Sequence, residues 1–184
     1  QLPVVGELDL FMAALRASSK AAVIAITGTN GKTTVTELAT LLANAGEVPA
    51  CAAGNIGPSM LDAWCDALQA RDQQGMSLPA LWVLELSSFQ LALSHGFEPG
   101  VAAILNISQD HQDWHASMQS YVAAKQRVAG AASIAIGLRG QADTLVPLVA
   151  QQRTIGLDEP RQPGDMGLVT EGGISWLAWS VPSE

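Results

Sequence analysis

The segment Ala21-Ala22-Val23-Ile24-Ala25-Ile26-Thr27-Gly28-Thr29-Asn30-Gly31-Lys32-Thr33-Thr34 decides the fold of this chain. Its first six residues form a short apolar run, which is typical of a buried strand. A turn with two glycines follows, and beyond it apolar residues recur at helical spacing from Val35 to Leu42. The segment therefore predicts a buried strand, a glycine turn and an amphipathic helix in direct succession.

A glycine turn in this position favours a phosphate group. Unpaired N–H groups and the positive end of the helix dipole meet at a helix N-terminus. Lys32 can neutralise the outer phosphates of a nucleotide, and the Thr33 hydroxyl can ligate Mg²⁺. The loop departs from the usual G-x-x-x-x-G-K-[ST] pattern, because the first glycine of that pattern would fall at Ile26. A plain turn before a helix is the alternative, so the loop alone indicates phosphate binding and no particular reaction.

Strands and helices continue to alternate along the chain. Helices are predicted over residues 7–18, about 58–68 and about 118–128, and apolar strands over about 50–53, 80–86, 101–107 and 133–137. Apolar strands separated by helices indicate an α/β fold, a mostly parallel sheet of doubly wound type with helices on both faces. Beyond about Gln151, short alternating pieces such as residues 173–179 predict a small antiparallel portion near the C-terminus.

Composition limits the classes of protein. The 184 residues are 48% hydrophobic, enough for one principal domain. A net charge of -8 with only 9 Lys and Arg argues against a broad surface for nucleic acid or anionic lipid. Cys51 and Cys65 are too few for a disulfide framework, and no apolar run approaches the ~18 residues of a membrane span. We expect a cytoplasmic, monomeric protein with reduced thiols.

Glu85 is the one carboxylate at the end of an otherwise apolar predicted strand. Ligand sites of open α/β sheets form at the carboxyl ends of the strands, so Glu85 is a candidate to bind Mg²⁺ or to hold a water molecule. A strand-ending Glu that simply reaches solvent is the alternative, and the two interpretations have equal weight when Glu85 is considered alone.

A polar cluster follows the next predicted strand. His111 and His115 are four residues apart, but the H-E-x-x-H pattern lacks its Glu and no third ligand is evident, which argues against zinc. His111 is the better site candidate, and His115 is interpreted as a surface or packing residue. Lys125 lies on the helix predicted over 118–128. A lone helical Lys is usually solvated, and nothing in its surroundings indicates otherwise.

Five separated motifs together resemble the Mur ligase family. They are Thr27-Gly-Thr-Asn-Gly-Lys-Thr-Thr34, Ala53-Gly-Asn-Ile-Gly57, Glu85-Leu-Ser-Ser-Phe-Gln-Leu91, Leu105-Asn-Ile-Ser-Gln-Asp-His111 and Tyr121-Val-Ala-Ala-Lys125. Within the family, the motif at Glu85 is most similar to the members that add D-glutamate, as is the leading stretch over residues 3–11. The resemblance runs through about residue 130 and then thins. It implies the central, ATP-binding domain of such a ligase, with a P-loop NTPase-like fold.

The resemblance also implies a set of site residues. The ATP phosphates would be held by Gly28, Thr29, Asn30, Gly31, Lys32, Thr33 and Thr34. One Mg²⁺ would be bound by Thr33 and Glu85, and a second by His111 beside a carbamylated Lys125. Catalysis would depend on Lys32, His111 and Lys125. The nucleotide-sugar substrate would be contacted by Asn55, Ser87 and Gln90.

The implied reaction belongs to peptidoglycan precursor synthesis, and through it to cell wall biogenesis, cell shape and cell division. ATP phosphorylates the carboxylate of UDP-N-acetylmuramoyl-L-alanine, and the amine of D-glutamate attacks the acyl phosphate, releasing ADP and phosphate. Lys32 and two Mg²⁺ would offset the repulsion between the two anions of the first step.

The chain also departs from the family pattern. Family members carry an N-terminal domain and a C-terminal domain for which these 184 residues have no room. We therefore expect residues 1–184 to be a truncated central domain, with residues 1–20 forming the linker and helix that lead in from an N-terminal domain. The segment 137–143 replaces the Asn and Asp pattern typical of the family, which puts nucleotide contacts from that loop in doubt. The isolated chain is expected to be inactive.

Three other functions are alternatives to a ligase that adds D-glutamate. Another Mur ligase or a folylpolyglutamate-type ligase would share the phosphate loop, but the Ser87-Ser-Phe-Gln90 segment argues against it. A P-loop kinase or GTPase would require Gly at position 26, and a GTPase would also require an Asn-Lys-x-Asp sequence that the chain lacks. A module that binds nucleotide without turnover remains open.

Overall fold

Strand β1, Ala22–Thr27, lies inside the sheet with a parallel strand on each side. The computed structural model describes residues 4–110, 113–146 and 149–181. Along β1, Val23 and Ala25 face one apolar cluster, whereas Ile26 faces another on the opposite side of the sheet. The strand is apolar from Ala22 to Ile26 because apolar clusters cover both faces of the sheet here. The predicted strand over residues 21–26 is therefore confirmed, displaced by one residue.

The sheet has eight strands in the order β2-β3-β1-β4-β5-β6-β7-β8. Every neighbouring pair is parallel except β7 and β8, which are antiparallel. The remaining strands are β2 Ala50–Gly54, β3 Leu81–Glu85, β4 Val101–Ile104, β5 Ile134–Leu138, β6 Gln151–Ile155, β7 Met166–Glu171 and β8 Ile174–Trp179. This arrangement confirms the expected mostly parallel sheet with an antiparallel C-terminal portion.

Helices cover both faces of the sheet, as expected, but unequally. The helices are α1 Glu7–Ser18, α2 Lys32–Ala45, α3 Met60–Gln74, α4 Ser88–Leu93 and α5 Met118–Gln126. Four of them contribute to the larger apolar cluster, through residues such as Phe11, Trp64, Leu91 and Tyr121. Among the described helices, α2 alone packs on the other face, where Ala39 meets Ile26.

Aromatic residues form the centre of the larger cluster. Trp82 on β3 is fully buried, with the ring of Phe11 on α1 edge-on to it at 5.1 Å and Trp64 on α3 at 6.0 Å. Burying one such ring stabilises the fold by roughly 1.5–3 kcal/mol before entropic costs. This packing fixes α1 and α3 against β3, the strand that carries Glu85.

Helix α3 is longer than the sequence predicts. The predicted helix ended near residue 68, where the apolar periodicity stops. The observed helix continues to Gln74 and ends at Gly75, whose left-handed backbone (φ 68°) provides the usual C-terminal stop. The last turn is polar and exposed, so it forms because its residues favour a helix and not because it packs on the core. In the described part of the chain, no helix is long and apolar enough to cross a membrane.

Candidate functional site

The loop after β1 ends in a bare helix N-terminus. Gly31 is the N-cap of α2 and has a left-handed backbone (φ 79°), a conformation that a residue with a Cβ rarely adopts. No side chain caps this helix, so the first backbone N–H groups of α2 have no side-chain acceptor. The loop therefore offers an anion a set of N–H donors at the positive end of a 14-residue helix.

Asn106, at the end of the neighbouring strand β4, holds this loop in shape. Its side-chain oxygen accepts from the Asn30 N–H at 2.9 Å, and its amide donates to the Asn30 carbonyl at 3.0 Å. Its own carbonyl accepts from the Thr29 N–H at 2.9 Å. Asn106 belongs to one of the five motifs, but the sequence assigns it no role of its own. A polar residue directly after a buried strand, adjacent in the sheet to the loop, was the available signal.

Lys32 folds back over the loop. Its Nζ donates to the carbonyl oxygens of Gly28 and Thr29, each at 3.0 Å. The ammonium group is thus already within the loop, beside the N–H groups that face a phosphate in sites of this kind. The predicted phosphate residues, from Gly28 to Thr34, do form one continuous loop and first helical turn.

Glu85 is buried, so the alternative that it reaches solvent is wrong. Its side chain is only 2% exposed, and its two carboxylate oxygens accept from the Thr33 hydroxyl at 2.8 Å and from the Asn55 amide at 3.0 Å. Gly54 makes this approach possible, because a Cβ there would collide with the Glu85 carbonyl oxygen. The end of β3, the start of α2 and the end of β2 therefore meet at one carboxylate.

The donor set at Glu85 fits Mg²⁺. One carboxylate and one hydroxyl oxygen converge, and Mg²⁺ in nucleotide sites typically takes one or two protein oxygens together with phosphates and water. No group of three His, Cys, Asp or Glu side chains suited to a metal occurs in residues 4–110, 113–146 and 149–181. His111, predicted to hold a second Mg²⁺, lies outside the described residues.

Lys125 is also buried, and the interpretation of it as a solvated helical Lys is wrong. Its exposed fraction is 2%, and its Nζ donates to the Gly28 carbonyl at 2.8 Å and to the Thr27 hydroxyl at 3.5 Å. Burial, reinforced by the charge of Lys32, lowers the pKa of Lys125 to about 8. A fraction of these amines is therefore neutral, and nucleophilic, close to physiological pH.

Tyr121 and His115 connect α5 to the loop. The Tyr121 hydroxyl is 3.1 Å from the Thr29 hydroxyl, and its ring lies 4.7 Å from the Lys125 Nζ. His115 is buried, with its Nε2 2.9 Å from the Ser88 hydroxyl. His115 is therefore a packing residue, one of the two roles left open by the sequence. The role of Tyr121 in the loop was missed, because the contact spans 92 residues of sequence.

Ser87 and Gln90 open helix α4, two residues beyond Glu85. Gln90 Oε1 accepts from the Ser87 N–H at 2.9 Å and from its hydroxyl at 3.0 Å, and the Ser87 hydroxyl accepts from the Gln90 N–H. This reciprocal cap fixes the first turn of the helix. Asn55, Ser87 and Gln90, predicted to contact the substrate, thus all lie at or directly after the carboxyl ends of β2 and β3.

Comparison with known proteins agrees with this geometry. The profile of the Mur ligase middle domain matches residues 26–138. Two curated proteins named "UDP-N-acetylmuramoylalanine--D-glutamate ligase", from Burkholderia mallei (strain SAVP1) and Burkholderia pseudomallei (strain K96243), are each 47% identical to the chain over 191 residues, which covers 98% of it. The chain belongs to the Mur ligase family. It spans 37% of the length of these Mur ligases.

Solved structures show the same fold at low sequence identity. MurF ligase from Thermotoga maritima, crystallised with ADP, matches 93% of this Mur ligase chain with a TM-score of 0.62 at 18% identity, over 40% of its own length. Escherichia coli FolC in complex with DHPP and ADP matches 98% of the chain with a TM-score of 0.58 at 16% identity, over 52% of its own length. These likenesses establish the architecture of the family domain.

Proposed function

We propose that this chain is the ATP-binding part of a ligase that adds D-glutamate to UDP-N-acetylmuramoyl-L-alanine, producing ADP and phosphate. The similarity to curated ligases of that name supports the choice of substrates. The observation that carries the proposal is the meeting of Lys32, Glu85 and Lys125 at the carboxyl ends of the adjacent strands β1 and β3. A cation, an anion and an amine of lowered pKa are thereby brought to one phosphate loop.

The reaction assigns a task to each of these residues. The bare N-terminus of α2 and the Lys32 ammonium bind the β and γ phosphates of ATP, and Thr33 and Glu85 hold one Mg²⁺. Bound there, Mg²⁺ supplies positive charge that offsets the repulsion between a carboxylate and the transferred phosphoryl group. A Mur ligase and a FolC that share this fold were solved with ADP. The substrate carboxylate then becomes an acyl phosphate, which the amine of D-glutamate attacks.

Lys125 is proposed to carry a carbamate. After the ammonium group has lost one proton, the lone pair of the neutral amine attacks the carbon of CO₂. An N–C bond forms while one C=O π pair moves onto oxygen, and the nitrogen releases a second proton, so the loss of two protons turns a buried cation into an anion. An anionic oxygen ligand suits a second Mg²⁺ together with His111. The lowered pKa supports this step, because only the unprotonated amine reacts. The Tyr121 ring and the Gly28 carbonyl hold the side chain in place.

The domain assignment is likewise a proposal. We infer that residues 1–184 are a truncated central domain, that residues 1–20 link it to an N-terminal domain, and that the two missing domains complete the substrate sites. The isolated chain is then expected to bind nucleotide but to ligate nothing. Ligation of D-glutamate by residues 1–184 alone would contradict this assignment.

The decisive assay uses the full-length protein with UDP-N-acetylmuramoyl-L-alanine, ATP, Mg²⁺ and a panel of amino acids, with phosphate release and product mass as readouts. We expect turnover with D-glutamate only. Exclusive use of another amino acid, or of a folate substrate, would reject the specific assignment. Nucleotide binding without any product, in a protein of full length, would favour the binding module.

A further inference from the structure

Trp114 forms a rigid aromatic plate beside the proposed site. The residue is 51% exposed, which is unusual for one with so large an apolar side chain. It is nevertheless held on two sides, edge-on to Phe89 at 4.8 Å and to His115 at 4.5 Å. His115 in turn stacks parallel to Phe89 and bonds Ser88. An exposed ring fixed in this way is prepared for a ligand without further loss of side-chain entropy.

The plate lies a short path from the reacting groups. Phe89 is in the first turn of α4, four residues beyond Glu85. On the other side, the contacts run from Trp114 to His115, from His115 to Tyr121 at 5.1 Å, and from Tyr121 to the Lys125 Nζ at 4.7 Å. Three successive contacts therefore link Trp114 to the Lys125 amine, and a nucleotide-sugar is long enough to span this path.

Local charge selects what kind of group can sit there. Asp110 and Asp113, both exposed, precede Trp114 by four residues and by one residue, and this local negative charge disfavours an anionic group such as a phosphate on the same surface. A neutral ring with polarised C–H groups is suited to the negative face of an indole. The nucleotide-sugar substrate has two neutral rings, the uracil and the N-acetylmuramoyl sugar. Only the sugar is attached to the reacting L-alanyl carboxylate, whereas two phosphates and a ribose separate the uracil from it.

We propose that Trp114 is a specificity-determining residue that stacks on the N-acetylmuramoyl sugar of the substrate. This inference rests on the proposed function, and it adds a residue that the five family motifs do not include. Ser87 and Gln90, which cap the helical turn that contains Phe89, offer polar groups to the acetamido and hydroxyl groups of the sugar. An aromatic plate combined with a few polar groups is the common form of a small-molecule site.

The first test is kinetic and uses full-length protein. In Trp114→Ala, the KM for UDP-N-acetylmuramoyl-L-alanine is expected to rise about 5- to 30-fold, with the KM for ATP and for D-glutamate within about twofold of wild type. Trp114→Phe keeps an aromatic plate and should recover most of the loss. Trp176→Phe, a change at a ring of similar exposure (54%) on β8, is the matched control. An unchanged KM for the nucleotide-sugar, or an equal rise for all three substrates, would overturn the proposal.

The second test requires no turnover. Adding UDP-N-acetylmuramoyl-L-alanine should quench tryptophan fluorescence in wild type and in Trp176→Phe, but not in Trp114→Phe, whereas UMP should have little effect on any of them. Quenching that persists in Trp114→Phe, or that UMP reproduces, would contradict stacking on the sugar. These measurements test only the role of Trp114. The proposed function would instead be rejected if wild type bound the nucleotide-sugar but ligated no D-glutamate.

Discussion

Lys32 and Lys125 donate to the same acceptor, the carbonyl oxygen of Gly28, at 3.0 and 2.8 Å. The two ammonium groups come from different helices, and each repels the other, which contributes to the lowered pKa of Lys125. An anion at the loop, whether a phosphate or a carbamate on Lys125, relieves this repulsion. The loop thus concentrates positive charge at one point of a chain whose net charge is -8.

Replacing Lys32 by Ala tests the phosphate site. The variant loses the ammonium group that reaches the loop carbonyls, so the affinity for ATP is expected to fall about 10- to 100-fold, in line with one charge-assisted hydrogen bond. Isothermal titration calorimetry of the full-length protein measures this. Lys20→Ala removes the same charge from an exposed position and should bind ATP as wild type does. Equal affinities in the two variants would reject Lys32 as a phosphate ligand.

Replacing Glu85 by Gln tests the metal role at nearly constant shape. The amide can keep one of the bonds to Thr33 and Asn55 but loses the charge that Mg²⁺ requires. We expect ligation to drop more than about 100-fold, with ATP binding in EDTA unchanged and the Mg²⁺-dependent gain in ATP affinity abolished. Glu37→Gln, an exposed carboxylate on α2, is the control. A persistent Mg²⁺ effect in Glu85→Gln would place the metal elsewhere.

The parts of the fold that the sequence predicts well are those determined locally. The β1 strand, its glycine turn and α2 follow one another directly, so periodicity and glycine placement are sufficient. The length of α3 was underestimated because its last turn depends on helix propensity and a Gly75 stop, not on apolar spacing.

The sequence predicts a site residue well when its type and its position along the chain already indicate its chemistry. It does not predict a residue whose role depends on contacts between segments that are distant in sequence. Glu85 could be singled out at a strand end. The burial of Lys125 could not, because it arises from the docking of α5 against the loop after β1, 97 residues away in sequence. The same holds for Asn106, whose hydrogen bonds to the loop depend on β4 lying next to β1.

The lowered pKa of Lys125 makes stability depend on pH. Between about 8 and the ordinary value of 10.5, the unfolded chain binds more protons at this site than the folded one, so the free energy of unfolding rises with pH across that window. Lys125→Met removes the cost of the buried charge. It should be about 3 kcal/mol more stable than wild type at pH 7, since a pKa lowered from 10.5 to about 8 costs about 1.4 kcal/mol for each pKa unit. Its advantage should shrink as the pH rises from 8 to 10.5.

Urea unfolding in CO₂-free buffer at several pH values provides the measurement for Lys125. The CO₂-free condition matters because carbamylation would change the charge of the side chain. Lys20→Met, at an exposed position, should follow wild type at every pH. A stability difference between Lys125→Met and wild type that stays constant from pH 7 to 10.5 would mean that Lys125 titrates normally. With ¹³C-bicarbonate added, a carbamate carbon signal should appear in wild type and be absent from Lys125→Met.

Arg139 joins the parallel sheet to the C-terminal strands. Its side chain is 8% exposed and donates to Asp158 at 2.8 Å and to the Thr154 hydroxyl at 2.8 Å, with Asp165 at 3.4 Å. The guanidinium passes beside Gly156, where a Cβ would lie only 2.8 Å from it. Truncating it removes a buried cation with the hydrogen bonds that it donates to Thr154, Asp158 and the Met166 carbonyl, although Asp165 keeps its bonds from Thr154, Arg161 and Gln162. Arg139→Ala should therefore lower the free energy of unfolding by about 2–4 kcal/mol.

Arg139→Lys should recover little of this stability, because an ammonium group cannot reproduce the planar fork that meets several acceptors at once. Arg161→Ala is the control, since Arg161 also pairs with Asp158 at 2.7 Å but is 70% exposed, and its loss should cost less than about 1 kcal/mol. Chemical denaturation gives the free energies, and hydrogen exchange in β7 locates the effect. If Arg139→Ala and Arg161→Ala destabilise equally, burial of the Arg139 guanidinium contributes nothing, and the C-terminal strands are held by their backbone pairing alone.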